Sequence, residues 1–334
     1  MIVSEGLFDL QVNGFAGIDF NSGALTPDDL DLALEAMLAT GVTHCLPTVI
    51  TAQPDELAAR FAALDAAVSK SRLGPLMCPG YHLEGPFLNP APGYCGCHPP
   101  SAMGPADPSL IVRLEASLAR PILLVTVAPE IDGGLDLIAG LSRRGKIVAL
   151  GHTACDFDTA RAAADAGAVL ATHLGNGLPQ TLHKLANPIF AQLAEDRLWA
   201  SFIADGIHID PRALKGLIRA RGIGRSILVT DAVAAAAAPV GPHEFAGMPI
   251  ERRADGSARR ASSEALAGSA LCLDRAVRNL VAWGIATAQD AIAMASAHPR
   301  ALLAPALAAH GVAMGAGRVA WSDVLDIVEA SADA

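Results

Sequence analysis

Short apolar, β-branched runs recur along the chain, each closed by a polar cluster, at residues 8–13, 44–50, 80–84, 122–128, 146–151, 169–173, 200–204 and 226–230. Between them lie segments with helical periodicity. Those at 27–38, 55–68, 158–166 and 211–219 begin on Pro27, Asp55, Asp158 and Pro211, residue types that suit helix N-termini. Strands alternating with helices predict parallel βαβ units. Eight such runs are the number a closed (β/α)8 barrel of the TIM type requires.

Two stretches leave this rhythm. Residues 87–105, rich in Gly, Pro and Cys, read as a long loop beside a site. Residues 233–263 open with an alanine run and continue through Pro, Gly and paired arginines, and read as an excursion after the last strand. Segments 264–282 and 288–303 then read as closing helices. With no internal repeat and no linker, residues 1–310 form one barrel domain. Residues 311–334 are a C-terminal tail without a clear pair of strands.

Polar, ligand-type side chains fall at the ends of these runs. Gln11 and Asn13 end the first, Glu84 ends the third, and Glu130 follows the fourth. His152 follows the fifth, His173 ends the sixth, Asp205 and His208 follow the seventh, and Asp231 follows the eighth. Barrel enzymes carry their chemistry at the C-terminal ends of the strands, so this placement predicts an active site at the barrel mouth.

Composition narrows the picture. The chain has 334 residues, 52% of them hydrophobic but only 4% aromatic, so small aliphatic side chains must fill the core. A formal charge of −10 disfavours nucleic acid and anionic membrane as partners. It gives an anionic substrate no long-range help, so any phosphate-binding group has to be local. The apolar runs are too short to span a bilayer. The start, with Glu5 and no basic flank, does not read as a signal peptide. Six scattered cysteines (Cys45, Cys78, Cys95, Cys97, Cys155 and Cys272) form no C-x-x-C pair and read as reduced thiols in a cytoplasmic protein.

Glu84, His152 and His173 make a carboxylate-plus-two-imidazole set suited to a zinc-type ion with a position left open. Each histidine taken alone could equally cap a strand or satisfy a core hydrogen bond. Asp231, in Leu-Val-Thr-Asp-Ala, is placed to move a proton at the barrel mouth, or else to cap a helix begun by the alanine run. His98, His208 and Asn176 lie in glycine-containing loops and suit substrate hydroxyls or a carbonyl, although loop histidines are also common on surfaces. The pairs Arg252–Arg253 and Arg259–Arg260 read as solvated loop rather than an anion site. Cys95 and Cys97 have no second pair for a structural zinc. Val12 stands where a dinucleotide fingerprint at Gly14 and Gly17 would need its first glycine.

An ordered set of motifs resembles the N-acetylglucosamine-6-phosphate deacetylases of the amidohydrolase superfamily. The set is Asp9-Leu10-Gln11-Val12-Asn13-Gly14, His82-Leu83-Glu84-Gly85-Pro86-Phe87, Val127-Ala128-Pro129-Glu130, Gly151-His152-Thr153 and Thr172-His173-Leu174. Ala204-Asp205-Gly206-Ile207-His208, Thr230-Asp231-Ala232, Leu266-Ala267-Gly268-Ser269 and His298-Pro299 continue it. The resemblance implies hydrolysis of an N-acetyl amide on an amino sugar. It implies one divalent ion on Glu84, His152 and His173, zinc before Fe2+, Mn2+ or Co2+, with Gln11 and Asn13 where a second metal's histidines would stand. It implies Asp231 as general acid and base, His98 and His208 at the sugar or the amide carbonyl, Asn176 and Gly177 lining the site, and a homodimer.

The chain departs from the pattern in three places. It starts almost at the first barrel strand, so the accessory β-sandwich is expected to be reduced or absent. Residues 175–179 read Gly-Asn-Gly-Leu-Pro. No downstream arginine stands where a phosphate clamp is expected, and His183 and Lys184 occupy that region as substrate-binding candidates. The alternatives are an amidohydrolase for an unphosphorylated sugar, an N-acyl amino acid or a cyclic amide, and a metal-binding barrel without catalysis.

Overall fold

Each of the eight apolar runs becomes a strand of one parallel sheet in the computed structural model, which describes residues 2–261 and 263–332. The strands are β1 (Leu7–Val12), β2 (Val42–Ile50), β3 (Tyr81–Glu84), β4 (Ile122–Val127), β5 (Ile147–Leu150), β6 (Leu170–Ala171), β7 (Trp199–Phe202) and β8 (Ser226–Leu228). Their order in the sheet is their order in the chain. Such strands are covered on both faces and read as continuous apolar runs, as the fully buried pattern of β1, β2 and β4 shows.

A helix follows every strand. The first three are Pro27–Ala39, Pro54–Lys70 and Pro108–Glu115, and the next two are Gly134–Arg143 and Phe157–Asp165. Pro188–Leu193, Pro211–Arg221 and Leu273–Ala282 complete the ring. Polar caps start them. Thr26 and Asp29 form a reciprocal capping box, and Asp107, Asp156, Asn187 and Asp210 each accept a first-turn N–H.

The barrel closes at a seam between β8 and β1 that uses side chains where a full ladder would stand. Ala232 bridges Val12, and the Asp231 N–H donates to the Gln11 carbonyl at 2.9 Å. Below them the buried Asp9 carboxylate accepts from the Thr230 hydroxyl at 2.5 Å, the Thr230 N–H at 3.2 Å and the Gln11 N–H at 3.3 Å. Asp9 therefore ties the last strand to the first, directly beneath Gln11 and Asp231.

The excursion after β8 is ordered. The alanine run forms no helix, because its backbone is engaged elsewhere. The carbonyls of Ala232, Ala234 and Ala236 accept N–H groups from residues 13–17, and Ala234–Ala236 are buried. A Cβ at Gly14 would come within 2.8 Å of the Ala234 nitrogen, so only glycine allows this approach. Next comes a three-stranded antiparallel insert, Gly241–Phe245, Met248–Arg252 and Ala258–Arg260. Its first turn places Ala246 and Gly247 at φ 52° and 81°, the two-residue geometry with positive φ at both positions. The tip is pinned to the barrel by Ala246 N–H to Asp19 at 2.7 Å and by Arg60 to the Ala246 carbonyl at 3.3 Å.

Three expectations need correction. The arginines at 252, 253, 259 and 260 stand on or beside insert strands and not in a solvated loop. Residues 264–272 are not helical, and the closing helices are Leu273–Ala282, Ala288–Ala295 and Ala297–Ala309. The tail does carry a pair of strands. Arg318–Trp321 and Ile327–Ser331 join Ile2–Glu5 in a three-stranded antiparallel sheet, with Asp333 and Ala334 outside the described residues. Arg300 fastens this sheet by donating to the carbonyls of Gly6 at 3.1 Å and Ala316 at 2.7 Å. An accessory three-stranded layer is therefore present among the described residues.

The seam generates a prediction. Asp9→Ala strips the acceptor from three buried donors and should cost about 3 kcal/mol, read as a fall in Tm of roughly 5 °C or more. Burial pushes the Asp9 carboxyl up to about 7, against the Thr230 and Gln11 hydrogen bonds. The folded state then holds a proton that the unfolded chain releases near pH 4. Its contribution is fully present below about pH 4 and is lost as pH rises through about 7. Subtracting the denaturation profile of Asp9→Asn from that of the wild-type chain should isolate this slope, and identical profiles would contradict it.

Candidate active site

The strand ends deliver four side chains to one cleft of about 560 Å³ at the barrel mouth. Glu84 ends β3, His152 and His173 follow β5 and β6, and Asp231 follows β8. His98 reaches the same cleft from the long loop after β3. Glu84, His98 and His173 are each 2% exposed and His152 is 6% exposed. Three of these residues hold a left-handed backbone that glycine usually takes: His152 (φ 51°), His173 (φ 29°) and Asp231 (φ 49°). Such strain costs roughly 1–3 kcal/mol per residue and collects at functional sites.

Hydrogen bonds fix the imidazoles. His152 Nδ1 lies 2.6 Å from the Tyr94 carbonyl, which can only accept, so Nδ1 carries the proton. Thr51 Oγ1 donates to the Glu84 carbonyl at 3.3 Å and so accepts from His98 Nδ1 at 2.9 Å. Both rings therefore turn Nε2 towards the Glu84 carboxylate, at 3.6 Å from Oε1 for His152 and 3.6 Å from Oε2 for His98. His173 Nε2 stands 2.9 Å from Oε1, while its buried Nδ1 has no partner among the described residues.

Charge follows from this packing. Burial alone would raise the Glu84 carboxyl, but its contacts with His152 and His173 outweigh burial and hold it well below the usual carboxylate range. Burial, then the neighbouring His152, pushes His98 down to about 3, so it stays neutral. Burial would lower His173 as well, but its bond to Glu84 prevails and raises it. Glu84, His98 and His152 offer ligand atoms within 4.8 Å of one another, and His173 touches the same carboxylate. The donor set suits a zinc-type ion.

Asp231 faces this centre and caps no helix. Its Oδ1 accepts from Asn13 Nδ2 at 2.8 Å and from Gln11 Nε2 at 3.1 Å, and the same Gln11 amide donates to Glu84 Oε1 at 3.0 Å. Burial, then the Glu84 charge, pushes the Asp231 carboxyl up to about 6, close to neutrality, where a group that both takes and returns a proton works best. Where a second cation would need lone pairs, Gln11 and Asn13 present N–H groups.

The surrounding candidates divide. His208 lines the cleft, and its Nδ1 donates to Asp205 at 2.6 Å, leaving Nε2 for a ligand. Asn176 and Gly177 line it too. Gly177 (φ 62°) packs so close that a Cβ would lie 2.6 Å from His152 Nδ1. Glu130 braces the turn after His152 by accepting from Thr153 and Ala154. His183 and Lys184 do not join the site. Both are exposed, on a loop outside the cleft, and His183 Nδ1 accepts the Ala186 N–H. Sequence reasoning missed the Tyr94 carbonyl, a backbone group that no residue type announces. It also missed Arg259, which lines the cleft and for which the hairpin pair Asp255-Gly256 was the available signal.

No family model matches the chain. It is 36% identical over 302 residues to the N-acetylgalactosamine-6-phosphate deacetylase of Escherichia coli O157:H7, covering 90% of this chain and 78% of that protein. It is 32% identical over 282 residues to the N-acetylglucosamine-6-phosphate deacetylase of Bacillus subtilis, covering 84% and 69%. Among solved structures, the N-acetyl-D-glucosamine-6-phosphate deacetylase of Mycobacterium smegmatis superposes with a TM-score of 0.86 at 30% identity, covering 98% of this chain and 85% of that one. The Pasteurella multocida N-acetylglucosamine-6-phosphate deacetylase gives 0.85 at 26% identity, covering 98% and 84%. The eight-stranded barrel, the ordered motifs at its strand ends and these likenesses agree, and the chain belongs to the N-acetylglucosamine-6-phosphate deacetylase family of amide hydrolases.

Proposed function

We propose that this chain removes the acetyl group from an N-acetylated hexosamine 6-phosphate, with one divalent ion on Glu84, His152 and His173. The observation that carries the reading is the buried Glu84 carboxylate ringed by imidazole nitrogens, with Asp231 set across from it. The trio whose ligand atoms lie within 4.8 Å of one another is Glu84, His98 and His152, and not the expected set; His173 is nonetheless preferred to His98 as the third ligand. His173 makes the shorter contact with Glu84 and shares the strained strand-end backbone of His152 and Asp231, whereas His98 sits on a loop. Zinc is the proposed ion, and Fe2+, Mn2+ and Co2+ suit the same donors. The substrate class is that named for the relatives on both sides, the gluco and galacto epimers.

Bound there, the ion would supply Lewis acidity to the amide carbonyl and acidity to water. The chain's own residues do the rest. Water adds to the acetyl carbon while Asp231 Oδ takes its proton. Asp231 then returns that proton to the amine nitrogen as the C–N bond breaks, leaving acetate and the free amino sugar. Gln11 and Asn13 hold the carboxylate in place for both transfers. His208, its Nδ1 spent on Asp205, and neutral His98 face the cleft where the carbonyl oxygen and sugar hydroxyls would lie. The glycines at 96 and 177 let the loops close on the His152 ring.

Three outcomes follow. Asp231→Asn should retain metal and lose roughly 100- to 10,000-fold in kcat; full turnover would remove its role. His173→Ala should lose bound metal, measured by elemental analysis after dialysis, whereas His98→Ala should keep it and lose turnover; the reverse result would reassign the third ligand. Gly177→Ala should displace His152 and weaken metal affinity roughly 10- to 100-fold, and unchanged metal content would show that the ring tolerates the methyl group.

A further inference from the structure

The cleft has two unlike flanks. After β6 and β7 it is lined by the polar side chains of Asn176 and His208. β2 lies on the opposite side of the barrel from β6. On that side Ile50 at the end of β2, Cys97 in the loop after β3 and Phe245 in the insert line the cleft with carbon and sulfur. We infer that Phe245 is the specificity-determining residue for the length of the acyl chain, closing the apolar flank against groups longer than acetyl. This rests on the deacetylation reading above.

The apolar flank stands beside the reacting groups. Ile50 pairs with Glu84 in the register of β2 and β3. Val233, which follows Asp231 and Ala232 in the chain, belongs to the same buried cluster as Ile50 and Phe245, and Cys97 packs against that cluster. Burial, then the charges of Asp231 and Glu84, pushes the Cys97 thiol up to about 12, so it stays uncharged within reach of both carboxylates. An amide whose carbonyl carbon lies between Glu84 and Asp231 has two substituents to place. The hexose carries hydroxyls and needs hydrogen-bond partners, which the flank of Asn176 and His208 offers. The acyl carbon chain has no hydrogen bond to make and gains by leaving water for the apolar flank.

Phe245 gives that flank a fixed depth. Its ring is 1% exposed and clusters with Ile250, Ala258 and Ala267 of the insert and the segment after it. The next residue, Ala246, is tied to the barrel at both backbone groups, by its N–H to Asp19 and by its carbonyl to Arg60. The strand therefore cannot back away and take the ring with it. Arg260 of the same insert donates to the Gly96 carbonyl at 3.3 Å, which holds the loop of Cys97 against the cluster. Close-packed interiors resist even one added methylene, so a longer acyl chain that meets this ring finds no room made for it.

The test uses the metal-loaded chain and glucosamine 6-phosphate carrying formyl, acetyl, propanoyl or butanoyl on its nitrogen. Wild type, Phe245→Leu and Phe245→Ala are compared. Wild-type kcat/KM should fall about tenfold or more from acetyl to propanoyl, and again to butanoyl. Phe245→Leu should remove the first fall and Phe245→Ala both, so the ratio of butanoyl to acetyl in Phe245→Ala rises roughly 10- to 200-fold. Calorimetric binding in the Asp231→Asn background separates affinity from turnover. There the propanoyl substrate should gain on the acetyl substrate once Phe245→Leu is added. Phe245→Leu keeps a large apolar side chain, so it decides the question even where thermal melting shows Phe245→Ala unfolded. Acyl ratios unchanged in Phe245→Leu, or a wild-type chain that takes butanoyl as readily as acetyl, overturn the inference and leave the deacetylation reading standing. Equal losses on all four amides would assign Phe245 to folding of the insert and also overturn it. A wild-type chain that cleaves none of them removes the reading, and the inference with it.

Discussion

A carboxylate with 2% of its surface exposed, facing imidazole nitrogens, is the constraint around which the barrel mouth is organised. An ionised carboxylate inside a protein is costly unless hydrogen bonds and opposite charge compensate it. Gln11 and His173 provide part of the compensation to Glu84, each through a bond to Oε1. A cation held among the imidazole nitrogens of His98, His152 and His173 would supply the remainder. Asp231 is raised by burial and then by the Glu84 charge. His98 is kept neutral by burial and then by His152.

Holding that arrangement has structural costs, and they appear where the site needs them. The turns that aim His152, His173 and Asp231 into the cleft carry left-handed backbone on residues with a Cβ. The surrounding structure over-determines them. The Ser201 hydroxyl accepts the His173 N–H at 2.8 Å, Glu130 holds the turn after His152, and Ser269 and Gln11 hold the backbone of Asp231 from two sides. The seam makes the same point for the whole barrel. With a full ladder missing between β8 and β1, the Asp9 carboxylate takes its place, so the strand bearing Gln11 and the strand bearing Asp231 are tied one layer below the chemistry.

The sequence revealed what continuous burial and strand-end placement make visible. All eight strands fall within the apolar runs or one or two residues from their ends. The run at 169–173 shortens to Leu170–Ala171 because Thr172 and His173 already belong to the turn. Glu84, His152, His173 and Asp231 were legible because ligand-type side chains stood at successive strand ends. The failures share a cause: the deciding partner is far away in the chain. Residues 265–271 carry enough apolar side chains to read as helix, yet Ser269 bridges Ala232 and Gly268 takes φ 59°, so the backbone runs beside Asp231. The tail strands pair with residues 2–5, more than three hundred positions earlier. The orientation of His152 depends on a carbonyl at Tyr94, which no side-chain pattern encodes.

The insert shows how substrate recognition and catalysis come to share a frame. Its tip is fixed to the first loop through Asp19 and Arg60, and its last strand holds the loop after β3 through Arg260 and the Gly96 carbonyl at 3.3 Å. Gly96 in turn packs against His152. At its other end the segment carrying Leu266 and Ser269 binds Asp231 through backbone and Thr230 through the Ser269 hydroxyl at 2.6 Å. A shift of the insert would therefore move the loop over the Glu84 carboxylate and the backbone of Asp231 together. Because positioning errors near 1 Å are expensive in catalysis, an insert anchored at three points can shape the substrate end of the cleft without loosening the chemistry.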